Sequence, residues 1–278
     1  MLRATSSVNA DPNGEDRVSE LRMIAFDQSG QAVYNNLVDF PNGFSVRSAA
    51  IQFNPGIYDF YFFANESVTP VLSAALQSVT SVSDFTADAR FAQMQYNSAF
   101  TPLDELFPMS AIYQKITVLH GGTEISPLPL ALPTSKVELI RALSKVEVVF
   151  RKRNQGVSLP PASQISSVQI QNIAKNYSVP PADSYYNGST VASNVVNPVF
   201  NYSEDSIGAL TFYIPEFLVR QGATNFTQLL INNRSYPILT ENLQSGLSAQ
   251  RRVIASLSSN SIVRNFHYII NAYINVEG

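Results

Sequence analysis

A strict alternation of side chains near the C-terminal end is the feature that most restricts how this chain folds. The residues at every second position, which would share one strand face, are Phe266, Tyr268, Ile270, Ala272, Ile274 and Val276. The residues between them are His267, Ile269, Asn271, Tyr273 and Asn275. Because successive side chains of a strand point to opposite faces, this period of two predicts one unusually long β-strand with an apolar face.

Shorter strand signals recur along the rest of the chain. Strands are predicted at residues 21–26, 44–53, 57–63, 111–119, 136–150, 168–173, 210–214 and 229–231. The segment 57–63 carries aromatic residues on both faces, which is typical of a central strand covered on both sides. In the segment 136–150, the residues predicted to face a core are Val146, Val148 and Phe150.

Two stretches depart from the strand period. Within residues 68–95, the apolar residues between Val71 and Leu76 recur at helical spacing, which predicts one or two short helices, with Asp84 as a candidate N-cap. Residues 241–249 favour a helical turn.

The length and punctuation of the chain predict two domains. A chain of 278 residues has room for two domains of ordinary size, and two prolines in residues 128–133 mark a boundary. We expect a mainly β protein built from two antiparallel β-sandwich domains with short inserted helices. Residues 1–17 would form a flexible arm, residues 18–134 the N-terminal domain and residues 135–278 the C-terminal domain.

The composition excludes several classes of function. The formal net charge is −3, so no basic surface is available for a phosphate backbone, and nucleic acid is not an expected partner. The chain contains no Cys, which excludes disulfides, thiolate zinc sites and Cys nucleophiles. Charged residues make up 14% of the sequence, against roughly 25% in an average soluble protein. Its polarity comes from Ser, Thr, Asn and Gln, which suits packing against other protein surfaces.

Groups that could perform catalysis or bind a metal are scarce. The two histidines, His120 and His267, fall in different halves of the chain, so neither a histidine metal site nor a Ser-His nucleophile is expected. The adjacent acids at residues 104–105 and 204–205 lie in predicted loops. We expect no catalytic residue, no metal and no cofactor, and therefore no enzyme.

A long loop is predicted at residues 176–206, which are rich in Asn, Ser, Tyr and Pro. Its tyrosines are Tyr177, Tyr185, Tyr186 and Tyr202. They are candidates for contact with a ligand, and the alternative is that their rings anchor the loop.

Six segments resemble the elements of one protein family in their order and spacing. They are VSELRMIAFDQSG at residues 18–30, GIYDFYFFAN at 56–65, PMS at 108–110, VELIRALSKVEVVF at 137–150, YIPE at 213–216 and RNFHY at 264–268. Together they resemble the fimbrillin superfamily, the pilus proteins of Bacteroides-type bacteria.

The resemblance implies a fold, a location and partners. It implies two transthyretin-like β-sandwiches, export as a lipoprotein, and assembly by strand exchange, in which an open groove accepts a strand from a neighbouring subunit. The expected partners are other pilus subunits, with a host or bacterial surface receptor as a further candidate. The expected location is the extracellular fimbrium at the outer membrane of a Gram-negative bacterium, and membrane contact would come only from a precursor lipid anchor absent from this sequence.

The resemblance also places the functional residues. In the family a protease cuts after an Arg and removes the first strand, and the corresponding bond here joins Arg3 to Ala4. The predicted neighbours of the resulting groove, beside the terminal strand, are Leu21, Met23, Ala25, Phe266, Tyr268, Ile270 and Ile274.

Three functions remain open from the sequence. Shaft subunits of the family continue beyond the RNFHY strand with a donor strand, whereas this sequence stops at Gly278. Either the sequence is trimmed, or the subunit accepts a strand and donates none, as a structural and adhesive subunit at the pilus tip or in an accessory position would. The alternatives are a pilus anchor subunit and a monomeric surface adhesin that binds glycans.

Overall fold

The computed structural model describes residues 3–7, 17–39, 51–87, 94–96, 106–121, 130–133, 137–152, 165–193, 206–249 and 252–274. Its strands are β1 (Arg3–Ser7), β2 (Glu20–Phe26), β3 (Ala32–Asp39), β4 (Gly56–Ala64), β5 (Met94–Gln95), β6 (Met109–Val118), β7 (Ile140–Arg141), β8 (Leu143–Lys152), β9 (Val168–Gln171), β10 (Ile173–Ala174), β11 (Asn176–Tyr177), β12 (Thr190–Val191), β13 (Ser206–Pro215), β14 (Gln228–Ile231), β15 (Arg234–Pro237) and β16 (His267–Ile274). Its helices are a 3₁₀-helix (Glu66–Val68), α1 (Pro70–Gln77), α2 (Asp84–Ala87) and α3 (Leu243–Ala249). The protein is mainly β with a few short helices, as the sequence predicts.

Five strands form one antiparallel sheet in the order β3-β2-β4-β6-β7, here called the N-terminal sheet. Strand β4 lies at its centre, as its aromatic residues predict. Phe60 and Phe63 point to opposite faces of this strand, and both are fully buried. A central strand with two covered faces therefore organises this part of the core.

The two faces of the N-terminal sheet are covered differently. On one face, Ile24 and Phe63 pack with Leu72 and Leu76 of helix α1. The other face carries an aromatic cluster around Phe53. The Phe53 ring centroid lies 5.6 Å from that of Tyr34, and 5.5 Å from those of both Tyr58 and Phe60.

Two further sheets, here called the C-terminal sheets, share a second core. Their strand orders are β1-β16-β8-β13 and β15-β14-β9. Val148 and Ile270 of the first sheet and Ile170 and Leu229 of the second belong to one buried apolar cluster. Strand β16 runs parallel to β8, so the expectation of purely antiparallel sheets is wrong at this pair. A parallel pair needs a crossover connection, which the long chain between residues 152 and 267 supplies.

Strand β3 has no counterpart among the strands predicted from the sequence. Asn35 and Asn36 interrupt its apolar residues, whereas pairing with β2 gives every residue from Tyr34 to Asp39 a register partner. The opposite holds for the predicted strand at 44–53, because residues 51–53 lie in no strand. Residues 44–50 lie outside the described residues.

The predicted helix cap at Asp84 is wrong in detail. Asp84 is the first residue of α2, and its carboxylate accepts the backbone N–H groups of Thr80 at 2.7 Å and Ser81 at 2.9 Å. Both donors precede the helix, whereas an N-cap accepts from the first helical turn. Asp84 therefore closes the turn before α2.

The N-terminal residues correct another expectation. Arg3–Ser7 form strand β1, which pairs antiparallel with β16, so this part of the predicted arm at 1–17 is a strand. Residues 8–16 lie outside the described residues. The pattern of β1 is polar, and a short edge strand of this kind is held by the backbone groups of its partner.

Asn65, in the GIYDFYFFAN segment, joins the end of β4 to the entry of β2. Its backbone adopts a φ of 58°, in the left-handed region. Its side-chain amide donates to the carbonyl oxygens of Arg17 (2.9 Å) and Phe107 (2.8 Å) and accepts the N–H of Ser19 (2.9 Å). One buried side chain therefore satisfies three backbone groups from two other segments.

A buried ionic cluster joins the end of β13 to the loop before β16. The carboxylate of Glu216 accepts from Arg252 Nη1 at 2.9 Å and from Arg264 Nε at 3.3 Å. Arg252 and Arg264 are only 5% and 1% exposed. The YIPE and RNFHY segments, which are distant in sequence, therefore meet through their charged residues.

Electrostatics explain how this cluster tolerates burial. Burial alone would raise the pKa of the Glu216 carboxyl, but the attraction of Arg264 and Arg252 outweighs it and holds that pKa below its ordinary value of 4.5. Glu216 is therefore ionised at neutral pH, where it neutralises part of the charge of both guanidinium groups.

We predict that Asn65→Ala lowers the free energy of unfolding by about 2–4 kcal/mol, because it removes buried hydrogen bonds. Asn65→Gly should lose about 1 kcal/mol less, since glycine accommodates a positive φ without the steric cost that alanine incurs. Urea unfolding of both variants measures the difference. Equal stabilities would show that the backbone conformation contributes nothing.

We predict that Glu216→Gln lowers the free energy of unfolding by about 3–5 kcal/mol at neutral pH, because two buried guanidinium groups lose their counter-ion. A carboxylate with a lowered pKa stabilises the fold above its unfolded pKa, and this contribution is lost as pH falls through the folded pKa. The difference from wild type should therefore shrink below pH 4.5.

Urea unfolding at neutral and acidic pH checks this expectation. The control is Glu147→Gln, which removes the same charge from a side chain that is 29% exposed and should cost less than about 1 kcal/mol. A Glu216→Gln deficit that stays constant on acidification would contradict the assigned role of the charge.

Candidate strand-exchange edge

Strand β16 lies between two strands, β8 and β1, which pair with it over different lengths. On one side, β8 pairs with all eight of its residues, from His267 to Ile274. On the other side, β1 pairs with five, from His267 to Asn271. Within the described residues, the second edge of β16 is therefore covered along only part of its length. We call this second side the β16 edge.

The register shows how differently the two flanks are built. On β8, Val146 and Val148 stand opposite Tyr268 and Ile270, and all four are almost fully buried. On β1, the residues opposite Tyr268 and Ile270 are Ser6 and Ala4. Residues that face each other across a strand pair share a face of the sheet. The N-terminal strand thus offers small residues where the other flank offers branched apolar ones.

Polar contacts fasten β16 to β8. His267 Nε2 lies 3.0 Å from Glu147 Oε2, and Arg151 Nε donates to Asn271 Oδ1 at 2.7 Å. Both contacts connect β16 and β8 across the partly exposed face of the sheet. Strand β16 would therefore stay in place if its other neighbour were exchanged.

The predicted groove residues do not form one site. Leu21, Met23 and Ala25 lie on β2, which is flanked by β3 and β4, and they pack on the aromatic face of the N-terminal sheet. The expectation that they line the groove beside the terminal strand is therefore wrong, because the two groups belong to different sheets.

The C-terminal members of the predicted groove behave differently. Phe266, Tyr268 and Ile270 are buried in the core of the C-terminal sheets. Ile274 ends β16, and its side chain lies outside the described residues. Phe266, Tyr268 and Ile270 therefore belong to the core that underlies β16.

The predicted processing bond lies inside strand β1. Arg3 pairs with Asn271 and Ala4 with Ile270. The edge beside the terminal strand, expected to be an exposed groove, is thus occupied between His267 and Asn271 by the chain's own N-terminal residues. An unpaired edge exposes backbone N–H and C=O groups, and β1 satisfies them locally.

The tyrosines of the segment 176–206 anchor it where it is described. Tyr177 is 8% exposed, and burial raises its pKa to about 12 despite the nearby Arg264. The hydroxyl of Tyr185 donates to the carbonyl of Ala255, and the ring of Tyr186 packs edge-on against Phe217, with centroids 5.0 Å apart.

These contacts favour anchoring over ligand contact. Tyr202 and residues 194–205 lie outside the described residues. The described part of the predicted loop also contains the short strands β11 and β12.

Sites for metal or acid–base chemistry are equally sparse in the residues that the structure describes. No group of three His, Cys, Asp or Glu residues within that part of the chain is arranged to bind a metal ion. The acids at 104–105 and 204–205 lie outside it. None of the described helices combines the length and apolar character needed to cross a bilayer.

Comparison with known proteins links the chain to fimbriae. No family model matches it. The minor fimbrium tip subunit Mfa3 of Porphyromonas gingivalis is 31% identical over 156 residues, which is 51% of this chain and 32% of that protein. The chain thus spans about a third of the length of this curated relative.

Solved structures show the same fold. The tip fimbrial protein Mfa3 of Porphyromonas gingivalis, solved with a C-terminal truncation, matches with a TM-score of 0.63 at 23% identity, over 97% of this chain and 92% of that one. A fimbrial assembly protein from Parabacteroides distasonis matches with a TM-score of 0.56 at 12% identity, over 99% of this chain and 92% of that one.

These matches confirm the resemblance inferred from the six segments. The relative found by sequence is a fimbrial tip subunit, which agrees with the prediction that this chain is not an enzyme. Over about half of its length the chain is similar in sequence to the Mfa3 tip subunit, and its fold is similar to that of the solved fimbrial proteins.

Proposed function

We propose that the chain is a structural and adhesive subunit of a cell-surface fimbrium, at the tip or in an accessory position, and that it joins its neighbour by strand exchange at the β16 edge. The homology to a tip subunit supports the position. The observation that carries the mechanism is that, among the described residues, the short strand β1, with Ala4 and Ser6 opposite Ile270 and Tyr268, pairs with five of the eight residues of β16.

The physical basis is β-augmentation. A strand from a neighbouring subunit that runs along β16 would satisfy the same backbone groups that β1 satisfies, over a greater length. Apolar residues at every second position would bury more surface opposite Tyr268 and Ile270 than Ser6 and Ala4 provide, at roughly 25 cal/mol per Å² of apolar surface. The incoming strand therefore replaces a weaker one of the chain itself.

Processing between Arg3 and Ala4 would assist this exchange. Cleavage removes Arg3 and its pairing with Asn271, so that four residue pairs hold β1 in place of five. The remaining strand is shorter and leaves more of the β16 edge open.

The proposal includes the finer architecture and surroundings that the family resemblance implies. The N-terminal and C-terminal sheets would correspond to two transthyretin-like sandwiches, divided near residues 134 and 135. Other fimbrial subunits are the partners, the subunit is exposed on the surface of a Gram-negative cell, and a lipid anchor belongs to the precursor.

A disulfide across the proposed edge tests the mechanism. Thr5 stands opposite Ile269 in the register, and the sequence contains no other Cys. The double variant Thr5→Cys/Ile269→Cys should lock β1 onto β16 and keep the subunit out of fimbriae. The measurement is the amount of tagged subunit in fimbriae sheared from the source bacterium after replacement of the natural gene.

Two kinds of control separate the lock from the substitutions. Each single Cys variant cannot form the bond and should enter fimbriae as the wild type does. The pair Leu230→Cys/Ser235→Cys forms a disulfide between β14 and β15, away from the proposed edge, and should also be incorporated. Normal incorporation of the locked β1 variant would overturn exchange at this edge, and absence of the wild-type protein from fimbriae would overturn the function.

A further inference from the structure

One backbone carbonyl lies between the N-terminal sheet and the C-terminal sheets. The oxygen of Val179 accepts the hydroxyl of Ser110, on β6, at 2.7 Å. The same oxygen accepts Nη1 of Arg264, next to β16, at 2.7 Å. Ser110 is fully buried and Arg264 is 1% exposed, so water competes little for either bond.

Residues 177–182, the segment that carries this carbonyl, are bound to the C-terminal part of the protein by two arginines. Arg264 Nη2 donates to the carbonyl of Ser178 at 2.8 Å, and Arg252 Nη1 donates to the carbonyl of Ala182 at 2.8 Å. Glu216 holds both guanidinium groups in place. Charge-assisted bonds of this kind are the stronger hydrogen bonds in proteins.

The same segment is built into the core beneath the N-terminal sheet. Tyr177 pairs with Met94, and the side chains of Tyr177 and Val179 belong to the apolar cluster that contains Ile24 and Phe63. The segment therefore has apolar contacts with one sheet system and charged contacts with the other.

A second connection lies beside the first. Asn265, which follows Arg264, accepts the Nε–H of Arg141 at 3.1 Å and the N–H of Arg141 at 3.3 Å. Arg141 belongs to β7, at the edge of the N-terminal sheet. Asn265 holds a φ of 64° and donates its own N–H to Leu143 of β8 at 3.0 Å. Arg264, through Val179, and Asn265, through Arg141, thus both connect the chain just before β16 to the N-terminal sheet and its core.

We propose that these contacts form a mechanical junction, made of Ser110, Val179, Glu216, Arg264 and Asn265, which couples β16 to the N-terminal sheet so that the two sheet systems resist opening as one unit. This coupling does not depend on fimbrial assembly. Its use does rest on the proposed function, because a strand paired with β16 would pull on the strand that begins at this junction. Coupling of this kind travels through contiguous packed and hydrogen-bonded groups.

Two buried serines provide a matched pair of substitutions. Ser110 bonds across the junction, whereas Ser144, on β8, is 1% exposed and donates to Val263 at 2.7 Å within the C-terminal side. Ser→Ala at either position removes one buried hydroxyl donor to a backbone carbonyl. The two variants therefore differ in which contact they break.

Hydrogen–deuterium exchange of the isolated subunit, followed in peptides from β4 and β8, measures the coupling. Ser144→Ala alone should accelerate exchange in β8 and in β4 by the same factor, because the two open together. In a Ser110→Ala background, Ser144→Ala should accelerate exchange more in β8 than in β4, because the bond to Val179 is lost while the Arg141–Asn265 bonds remain. Arg264→Lys should uncouple the two in the same way, since lysine cannot bond two carbonyls and a carboxylate in the fixed geometry of a guanidinium group.

Two results would overturn the proposal. If Ser144→Ala affects β8 alone in the otherwise wild-type protein, the sheets open independently and no junction couples them. If β4 still follows β8 in both the Ser110→Ala and Arg264→Lys backgrounds, the coupling runs through other contacts. Because the subunit is measured free of fimbriae, a failure of the strand-exchange proposal would leave these results unaffected.

Discussion

The arrangement of the C-terminal part depends on the requirement that a buried charge must be paired. Glu216, Arg252 and Arg264 lie in the interior, where an unpaired carboxylate or guanidinium group would be strongly destabilising. Each of these three groups can be satisfied only if β13, the loop before β16 and residues 177–182 take up one mutual position. A packing that separated these groups would leave a buried charge without a partner.

That constraint has a consequence for strand β16. Arg264 and Asn265, which lie shortly before this strand, are held by hydrogen bonds, and β8 pairs with all eight residues of the strand, so its other edge is presented in a defined position. In the proposed exchange, the backbone groups of this edge would be prearranged for an incoming strand. The low charge of the whole sequence is consistent with surfaces that pack against other subunits.

The sequence predicts the strands whose own residues carry an apolar period. Strand β4 is central because both its faces are aromatic, and β16 has the buried face that its alternation indicates. The same reasoning misses β1 and β3, since polar residues such as Asn35 obscure their patterns and their pairing comes from neighbouring strands. The groove expected from the family resemblance joins Leu21 to Phe266, although the two pack in different cores.

The candidate site divides in the same way. The sequence by itself determined which residues are apolar at strand spacing, that no Cys is present, and that the segments YIPE and RNFHY occur in the order typical of fimbrial proteins. Only the tertiary structure decided that Glu216 meets Arg264, that Ser110 and Arg264 share the carbonyl of Val179, and that β1 covers part of β16. The physical reason is range: periodicity and turn chemistry act between neighbours in the chain, whereas strand pairing and the satisfaction of buried charges join residues that are distant in sequence.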